Sequence, residues 1–171
     1  MQRDSFYYQN NGILWNVLNS LPKNIKKILG NVDFLINFDP IKVGLHNFLD
    51  AGDGRFYNTT SHACYEVHQN HLSKDKRNAT VVLLDGDYND RNVILHELGH
   101  ILDERLDFQA PPFYPLDEYA GTDHWEAFAT AFQAYLTTPE QTDKSYIKTN
   151  KNDLLEIDID AYYFFENLGK Y

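Results

Sequence analysis

The chain has 171 residues, of which 43% are hydrophobic and 15% aromatic, and its formal net charge is −10. This length favours one domain with a hydrophobic core of its own. The acidic balance argues against a nucleic-acid partner, because binding to phosphates needs a surplus of Lys and Arg. The single cysteine, Cys64, excludes an intramolecular disulfide.

No stretch approaches the roughly 20 apolar residues of a membrane-spanning helix. The N-terminal segment also lacks the apolar core of a signal peptide. We therefore expect a cytoplasmic protein, a protein exported by a non-Sec route, or a fragment of a secreted protein.

The first half of the chain is predicted to contain two helices and three strands. Apolar residues recur at helical spacing over residues 4–20, and a second helix begins at Pro22 and ends at Gly30-Asn31. Short apolar runs predict strands over residues 32–38, 63–68 and 79–84. A peptide could add to the strand at 80–84 if that strand lies at an edge of the sheet, and an interior position is the alternative.

The second half is predicted to be helical. Asp90 is a suitable N-cap for a helix over residues 91–106, and a proline-rich loop follows over residues 107–117. Further helices are predicted over residues 122–136 and from residue 153 onwards. The order of helices, then strands, then helices indicates a single α+β domain over residues 1–171, in which a small twisted, mostly antiparallel sheet packs against helices.

His96 and His100 stand four residues apart in the sequence His-Glu-Leu-Gly-His of the third predicted helix. This spacing places both imidazoles on one face, about one turn apart, where they can bind one metal ion. Glu97 is offset by about 100° and can take a proton from zinc-bound water, whose pKa the metal lowers towards about 7. A glycine inside a helix lowers the stability of the helix by about 1 kcal/mol relative to alanine. Close packing near a metal site would explain why Gly99 is present.

A catalytic zinc ion usually has three protein ligands, and Glu126 is the best candidate for the third. It lies at the start of an amphipathic helix, where a carboxylate among apolar neighbours is costly unless it is paired or bound to metal. Alanines at positions 127, 129 and 131 allow close packing of this helix. Leu106 stands where a metzincin would have its third ligand, and Asp123 and His124 are the remaining alternatives.

These residues resemble a known family, the lethal factor-like zinc metallopeptidases, which include the catalytic domain of anthrax lethal factor and the clostridial Pro-Pro endopeptidases. The zinc helix of the family has His-Glu-x-x-His followed by an acidic residue, and residues 96–103 match this pattern with Asp103. Its second element is a tyrosine, six residues and then a glutamate that opens an alanine-rich aromatic helix, as in residues 119–132. The aromatic segment 160–168 also resembles the closing helix of the family.

The resemblance implies a zincin-like domain of the gluzincin type, with Zn²⁺ as cofactor and a protein or peptide as substrate. The implied zinc ligands are His96, His100 and Glu126. The resemblance also implies that Glu97 is the general base and that Tyr119 stabilises the oxyanion, while Asp103 is expected to support a ligand histidine.

The predicted activity is hydrolysis of peptide bonds by a zinc-bound water that Glu97 activates. The alternative is a catalytically inactive zinc-binding module with an interaction or inhibitory role, and the intact Glu97 and Tyr119 argue against it. The segment between His100 and Tyr119 is short, so the resemblance does not extend to the substrate of lethal factor or to Pro-Pro specificity.

Overall fold

The computed structural model of the protein describes residues 12–30, 32–36, 63–67, 79–83 and 90–170. These residues form six α-helices, which are α1 (Gly12–Ser20), α2 (Lys23–Leu29), α3 (Arg91–Arg105), α4 (His124–Tyr135), α5 (Lys151–Ile157) and α6 (Ile159–Asn167). They also form a 3₁₀ turn, Pro139–Thr142, and the strands β1 (Val32–Ile36), β2 (Ala63–Val67) and β3 (Ala79–Leu83). None of the described helices is long and apolar enough to cross a membrane. Residues 4–11 of the first predicted helix, and the predicted strand ends at 37–38, 68 and 84, lie outside the described residues.

The three strands form one small mixed sheet in the order β1-β3-β2. β1 pairs in parallel with β3, and β2 pairs antiparallel with the other side of β3. The expected α+β domain, built on a mostly antiparallel twisted sheet, is therefore wrong, because the described residues are mainly helical and one of the two strand pairs is parallel. β3 is an interior strand, so it does not offer the free edge that a peptide could extend. The hydrophobic pattern of a strand shows which face is buried but not the direction of its neighbour.

α3 lies at the centre of the molecule and contacts α1, α2, α4, β2 and β3. Every residue from Asn92 to Arg105 is buried, which is the pattern of a helix enclosed on all sides. Its leucines and isoleucines belong to the main hydrophobic core, together with Leu14 of α1, Ile25 of α2 and Phe132 of α4. The core of the described residues is therefore made mainly by helices.

The two ends of α3 are closed by different local structures. Asp90 is the N-cap, as predicted, and its Oδ1 accepts hydrogen bonds from the backbone N–H groups of the second and third helical residues. Beyond its C-terminal end the chain passes through Asp107 and Phe108 at φ 61° and 56°, a left-handed backbone that is uncommon for residues with side chains. The ring of Phe108 contacts Trp125 in the first turn of α4, with ring centroids 6.5 Å apart.

The proline-rich loop between α3 and α4 is anchored on α4 and α6. The ring of Phe113 stacks on Phe128 of α4, with centroids 5.4 Å apart and an interplanar angle of 10°. The same ring makes edge contacts with two rings of α6, Phe164 and Phe165. Asp158, before α6, accepts a hydrogen bond from the backbone N–H of Tyr114 at 2.8 Å. The C-terminal helix therefore supports the loop that connects the two helices of the candidate site.

The C-terminal tail forms two helices, whereas the sequence predicted one from residue 153 onwards. Asp158 separates them and caps α6, since its Oδ1 accepts a hydrogen bond from the backbone N–H of Ala161 at 3.0 Å. Three apolar residues of the two helices are exposed, namely Leu155, Ile159 and Tyr163. The single-helix prediction is wrong because the capping residue at position 158 was not recognised.

Candidate metal centre

α3 presents His96 and His100 on one face, as the four-residue spacing requires. Both side chains are buried, with 6% and 7% of their surface exposed. The two rings meet edge to face, with centroids 4.8 Å apart. Two imidazoles are thus held side by side on a helix that is itself enclosed.

Gly99 allows α4 to approach α3 more closely than any other residue would. A Cβ atom added at Gly99 would lie 2.8 Å from Cα and 3.1 Å from the carbonyl oxygen of Ala129, and 3.2 Å from the ring of Phe132. Rotation of a side chain cannot relieve a contact with backbone atoms. The close packing predicted at Gly99 is therefore confirmed, and it brings the start of α4 towards the histidines.

Glu126 lies in the first turn of α4 and reaches both histidines. Its Oε2 is 2.8 Å from Nε2 of His96, and its Oε1 is 3.5 Å from Nε2 of His100. One atom from each of the three side chains lies within 4.8 Å of the other two. Within the described part of the chain, this is the one group of three or more His, Cys, Asp or Glu side chains with such a geometry. We call these three residues the metal cluster.

The metal cluster fits a zinc ion in both chemistry and spacing. Two imidazole nitrogens and one carboxylate oxygen form the ligand set of many catalytic zinc sites. Ligand atoms around a tetrahedral zinc ion lie about 3.3 Å apart when each bond is about 2.0–2.1 Å long. The contacts of 2.8 and 3.5 Å between Glu126 and the histidines lie close to this value.

The charge of Glu126 follows from its neighbours. Burial alone would raise the pKa of this carboxyl group, but the hydrogen bonds and charges of His100 and His96 outweigh burial and hold the pKa well below its usual range. Glu126 is therefore ionised at neutral pH, and an ionised carboxylate accepts hydrogen bonds or binds cations but donates nothing.

Glu97 follows His96 on α3 and is 7% exposed. Burial raises the pKa of Glu97, and the charges of His100 and His96 act in the opposite direction. A carboxylate with a raised pKa binds a proton more strongly than an ordinary surface glutamate. This direction of the pKa shift is the one that favours proton uptake by Glu97.

Tyr119 borders the metal cluster from the loop before α4. Its ring centroid lies 6.0 Å from that of His96, although 59% of the residue is exposed. Partial burial, followed by the negative charges of Glu126 and Glu97, raises the pKa of Tyr119. The phenol therefore stays protonated at neutral and mildly alkaline pH and can donate a hydrogen bond.

Two polar residues that were not predicted from the sequence hold the turn around Tyr119. Asp117 Oδ1 accepts a hydrogen bond from the backbone N–H of Ala120 at 2.7 Å. Thr122 Oγ1 donates to the carbonyl oxygen of Tyr119, also at 2.7 Å. Side-chain bonds of Asp and Thr to nearby backbone groups are typical of turns, so the local signal for both residues was present in the sequence.

The alternative third ligands lie outside the metal cluster. Asp123 is the N-cap of α4, and its Oδ1 accepts a hydrogen bond from the backbone N–H of Glu126 at 2.8 Å. His124 is exposed, and its ring lies against Trp125 with centroids 4.4 Å apart. Asp103 is buried in the last turn of α3, and its support of a ligand histidine stays a prediction.

Comparison of the chain with protein-family models, with curated proteins and with solved structures found no match. The resemblance to lethal factor-like peptidases therefore depends on the residues that carry it, in the segments 96–103 and 119–132.

Proposed function

We propose that the protein is a zinc-dependent metallopeptidase of the lethal factor-like, gluzincin type that hydrolyses peptide bonds in a protein or peptide. One observation carries most of the support: Glu126 comes from a separate helix and meets both histidines of the His-Glu-x-x-His motif. The motif alone can arise by chance in a sequence. A third ligand of the appropriate chemical type, close to both histidines and beside a buried glutamate, is a much stricter condition.

Each residue of the site has a separate role in the proposed hydrolysis. His96, His100 and Glu126 would hold the zinc ion and leave one position open. When bound, zinc supplies a Lewis acid that polarises the substrate carbonyl and lowers the pKa of water. Glu97 accepts a proton as water forms a bond to the carbonyl carbon, and it passes this proton to the amine as the C–N bond breaks. Tyr119 donates a hydrogen bond to the carbonyl oxygen as negative charge develops there.

The surroundings of the metal cluster favour a peptide over a small polar substrate. Two large aromatic side chains, Phe108 and Trp125, are exposed and contact each other, and Trp125 directly precedes Glu126. Exposed apolar groups that lie close together indicate a binding surface. An extended peptide presents side chains to such a surface on both sides of the bond to be cleaved.

The direct test combines a metal assay with a cleavage screen. The wild-type protein is expected to bind one zinc ion and to cleave members of a fluorogenic peptide library. Removal of zinc by a chelator should abolish cleavage, and added Zn²⁺ should restore it. Glu97→Gln keeps the shape of the side chain but removes the base, so cleavage should fall by about 10²–10⁴-fold with zinc still bound.

Three results would count against the proposal, each in a different way. A wild-type protein that binds no zinc contradicts the metal site. Zinc binding without cleavage of any library peptide contradicts the peptidase and favours the inactive zinc-binding module. Full activity in Glu97→Gln contradicts the role of Glu97 while leaving the metal site intact.

A further inference from the structure

A buried network of hydrogen bonds joins α3 and α4 at the end of the helix pair away from the metal cluster. Its residues, which we call the polar clamp, are Asn92, Gln133, Thr137 and Thr149, with exposed fractions of 0%, 0%, 0% and 7%. The chemistry proposed for the metal cluster uses none of them. Full burial of polar groups is costly unless each is paired. The presence of four such side chains at this end of the helix pair therefore needs a reason beyond packing.

Gln133 is the centre of the polar clamp. Its Nε2 donates to Oγ1 of Thr137 at 3.0 Å and to the carbonyl oxygen of Thr149 at 2.9 Å, and its Oε1 accepts from Oγ1 of Thr149 at 2.7 Å. Thr137 Oγ1 lies 3.3 Å from Oδ1 of Asn92 and accepts a hydrogen bond from Arg91 at 3.1 Å. The polar clamp thus connects α4 with the first turn of α3 and with the segment before α5.

The polar clamp shares its helix faces with the metal cluster. Asn92 precedes His96 by four residues on α3, and Gln133 follows Glu126 by seven residues on α4. Both separations return to the same face of a helix. A movement of α4 along α3 would therefore displace Glu126 and the polar clamp together.

The polar clamp adds directional contacts to the apolar contact between the two helices. At Gly99 the helices touch through Ala129 and Phe132, and such contacts are non-directional. Hydrogen bonds are directional, and a slide of α4 by one residue, about 1.5 Å, would break those of the polar clamp. A slide of about 1.5 Å is several times larger than the roughly 0.2 Å by which zinc–ligand distances depart from their usual values.

We infer that the polar clamp fixes the register of α4 against α3 and thereby holds Glu126 at the two histidines. Its members are positioning residues that act through Glu126. The inference rests on the proposed zinc site, because it assigns the polar clamp a role in metal affinity and not only in stability.

A matched pair of variants at Thr137 tests the inference. Thr137→Val keeps the shape of the side chain and removes the hydroxyl, whereas Thr137→Ser keeps the hydroxyl. We expect Thr137→Val to weaken Zn²⁺ binding by about 10–100-fold, the effect of removing the support of a metal ligand. Thr137→Ser should stay within about twofold of the wild type. Chelator competition with the folded full-length chain measures both dissociation constants.

Two further variants separate positioning from stability. Gln133→Met keeps most of the volume and removes the three central bonds, and it should weaken Zn²⁺ binding as Thr137→Val does. Ile25→Val removes one buried methyl group of α2 and no hydrogen bond, so it should lower the unfolding midpoint without changing Zn²⁺ affinity. The inference is overturned when Thr137→Val and Gln133→Met lose stability but keep their Zn²⁺ affinity.

Crystal structures of the metal-free proteins provide a readout that does not depend on zinc. The expected result is that the contact between Glu126 and His96 is lost in Thr137→Val or Gln133→Met and kept in Thr137→Ser. An unchanged contact in both disrupted variants overturns the inference. Failure of the wild type to bind Zn²⁺ contradicts the proposed function, and the crystal structures then still decide whether the polar clamp sets the register.

Discussion

The α3–α4 pair carries two groups of polar side chains, most of them buried, that differ in their chemical composition. In the polar clamp, donors face acceptors, since both hydrogens on Nε2 of Gln133 and the hydroxyl of Thr149 are used within the group. In the metal cluster, two imidazole nitrogens and an ionised carboxylate converge on one small region. The polar clamp consists of neutral amides and hydroxyls, whereas the metal cluster consists of titratable groups, one of which is ionised.

This difference in composition distinguishes the two groups, whereas burial and position do not. Both groups consist mostly of buried side chains and both join the same helices. The distinguishing feature is that the metal cluster combines two imidazoles with an ionised carboxylate, whereas the polar clamp contains no titratable side chain. We therefore expect substitutions in the metal cluster to change metal binding and catalysis most, and substitutions in other hydrogen-bonded groups to change mainly geometry or stability.

The largest effect is expected from loss of the third ligand. Glu126→Ala should weaken Zn²⁺ binding by on the order of a hundredfold or more, because each zinc ligand contributes several kcal/mol to binding. Asp123→Ser is the matched control, since serine also caps helices and should leave Zn²⁺ affinity unchanged. Chelator competition measures both. Loss of zinc in Asp123→Ser with retention in Glu126→Ala would assign the third ligand to Asp123.

Tyr119 tests the hydrogen bond to the reacting oxygen. Tyr119→Phe should lower turnover by about 10²–10³-fold, the usual effect of removing an oxyanion donor, with Zn²⁺ affinity unchanged. Tyr114→Phe is the control, because Tyr114 lies on the same loop, is 68% exposed and should lose little activity. Steady-state kinetics on a cleaved library peptide decide this prediction. Equal losses in the two variants would mean that the loop as a whole, and not the hydroxyl of Tyr119, matters.

A substitution at Gly99 tests whether α3 and α4 are in close contact. Gly99→Ala should lower the free energy of unfolding by about 1–3 kcal/mol, because the added carbon meets the backbone of Ala129. It should also weaken Zn²⁺ binding, since separation of the helices moves Glu126. Gly12→Ala is the control, because no atom lies within 4 Å of its added carbon and alanine favours a helix. Urea denaturation that shows a stabilised Gly99→Ala protein would contradict the close contact.

The smallest effect is expected at Glu166, a hydrogen-bonded carboxylate near the surface. Its Oε1 accepts a hydrogen bond from the hydroxyl of Tyr135 at 2.8 Å, and this bond is the main cause that lowers the pKa of Glu166. Because its pKa is lowered in the folded protein, ionised Glu166 stabilises the fold above the ordinary pKa of a glutamate. This contribution to the free energy of unfolding is lost as the pH falls through the lowered pKa. Thermal unfolding should therefore show a small stability difference between wild type and Glu166→Gln at pH 7 that disappears in acid. Tyr135→Phe should remove the same pH dependence, and a difference that grows as the pH falls would contradict the assignment.

The parts of the site that were predictable depend on local spacing. His96 and His100 lie on one face because they are four residues apart in a helix. The glycine at position 99 already indicated a close contact with another element. Glu126 was chosen for its chemistry and its place in an amphipathic helix, and the structure places it beside both histidines. Its contact with them depends on a helix pair that no local pattern describes.

The parts that were not predictable depend on long-range pairing or on a single capping residue. The parallel pairing of β1 with β3 joins segments more than forty residues apart, and alternation within each strand carries no information about it. The register of α4 against α3 depends on Gln133 and Thr149, which read as ordinary polar residues in the sequence. The break at Asp158 interrupts a run of apolar residues whose spacing continues unchanged through it.

The complete enclosure of α3 has a consequence for how the metal cluster opens. Amide hydrogens of a helix that is buried on every side exchange with solvent only when most of the molecule unfolds. His96 and His100 therefore belong to the element that opens last, whereas Glu126 lies in a first turn whose neighbours His124 and Trp125 are exposed. Fluctuations that admit or release a metal ion would move the glutamate and leave the two imidazoles in place.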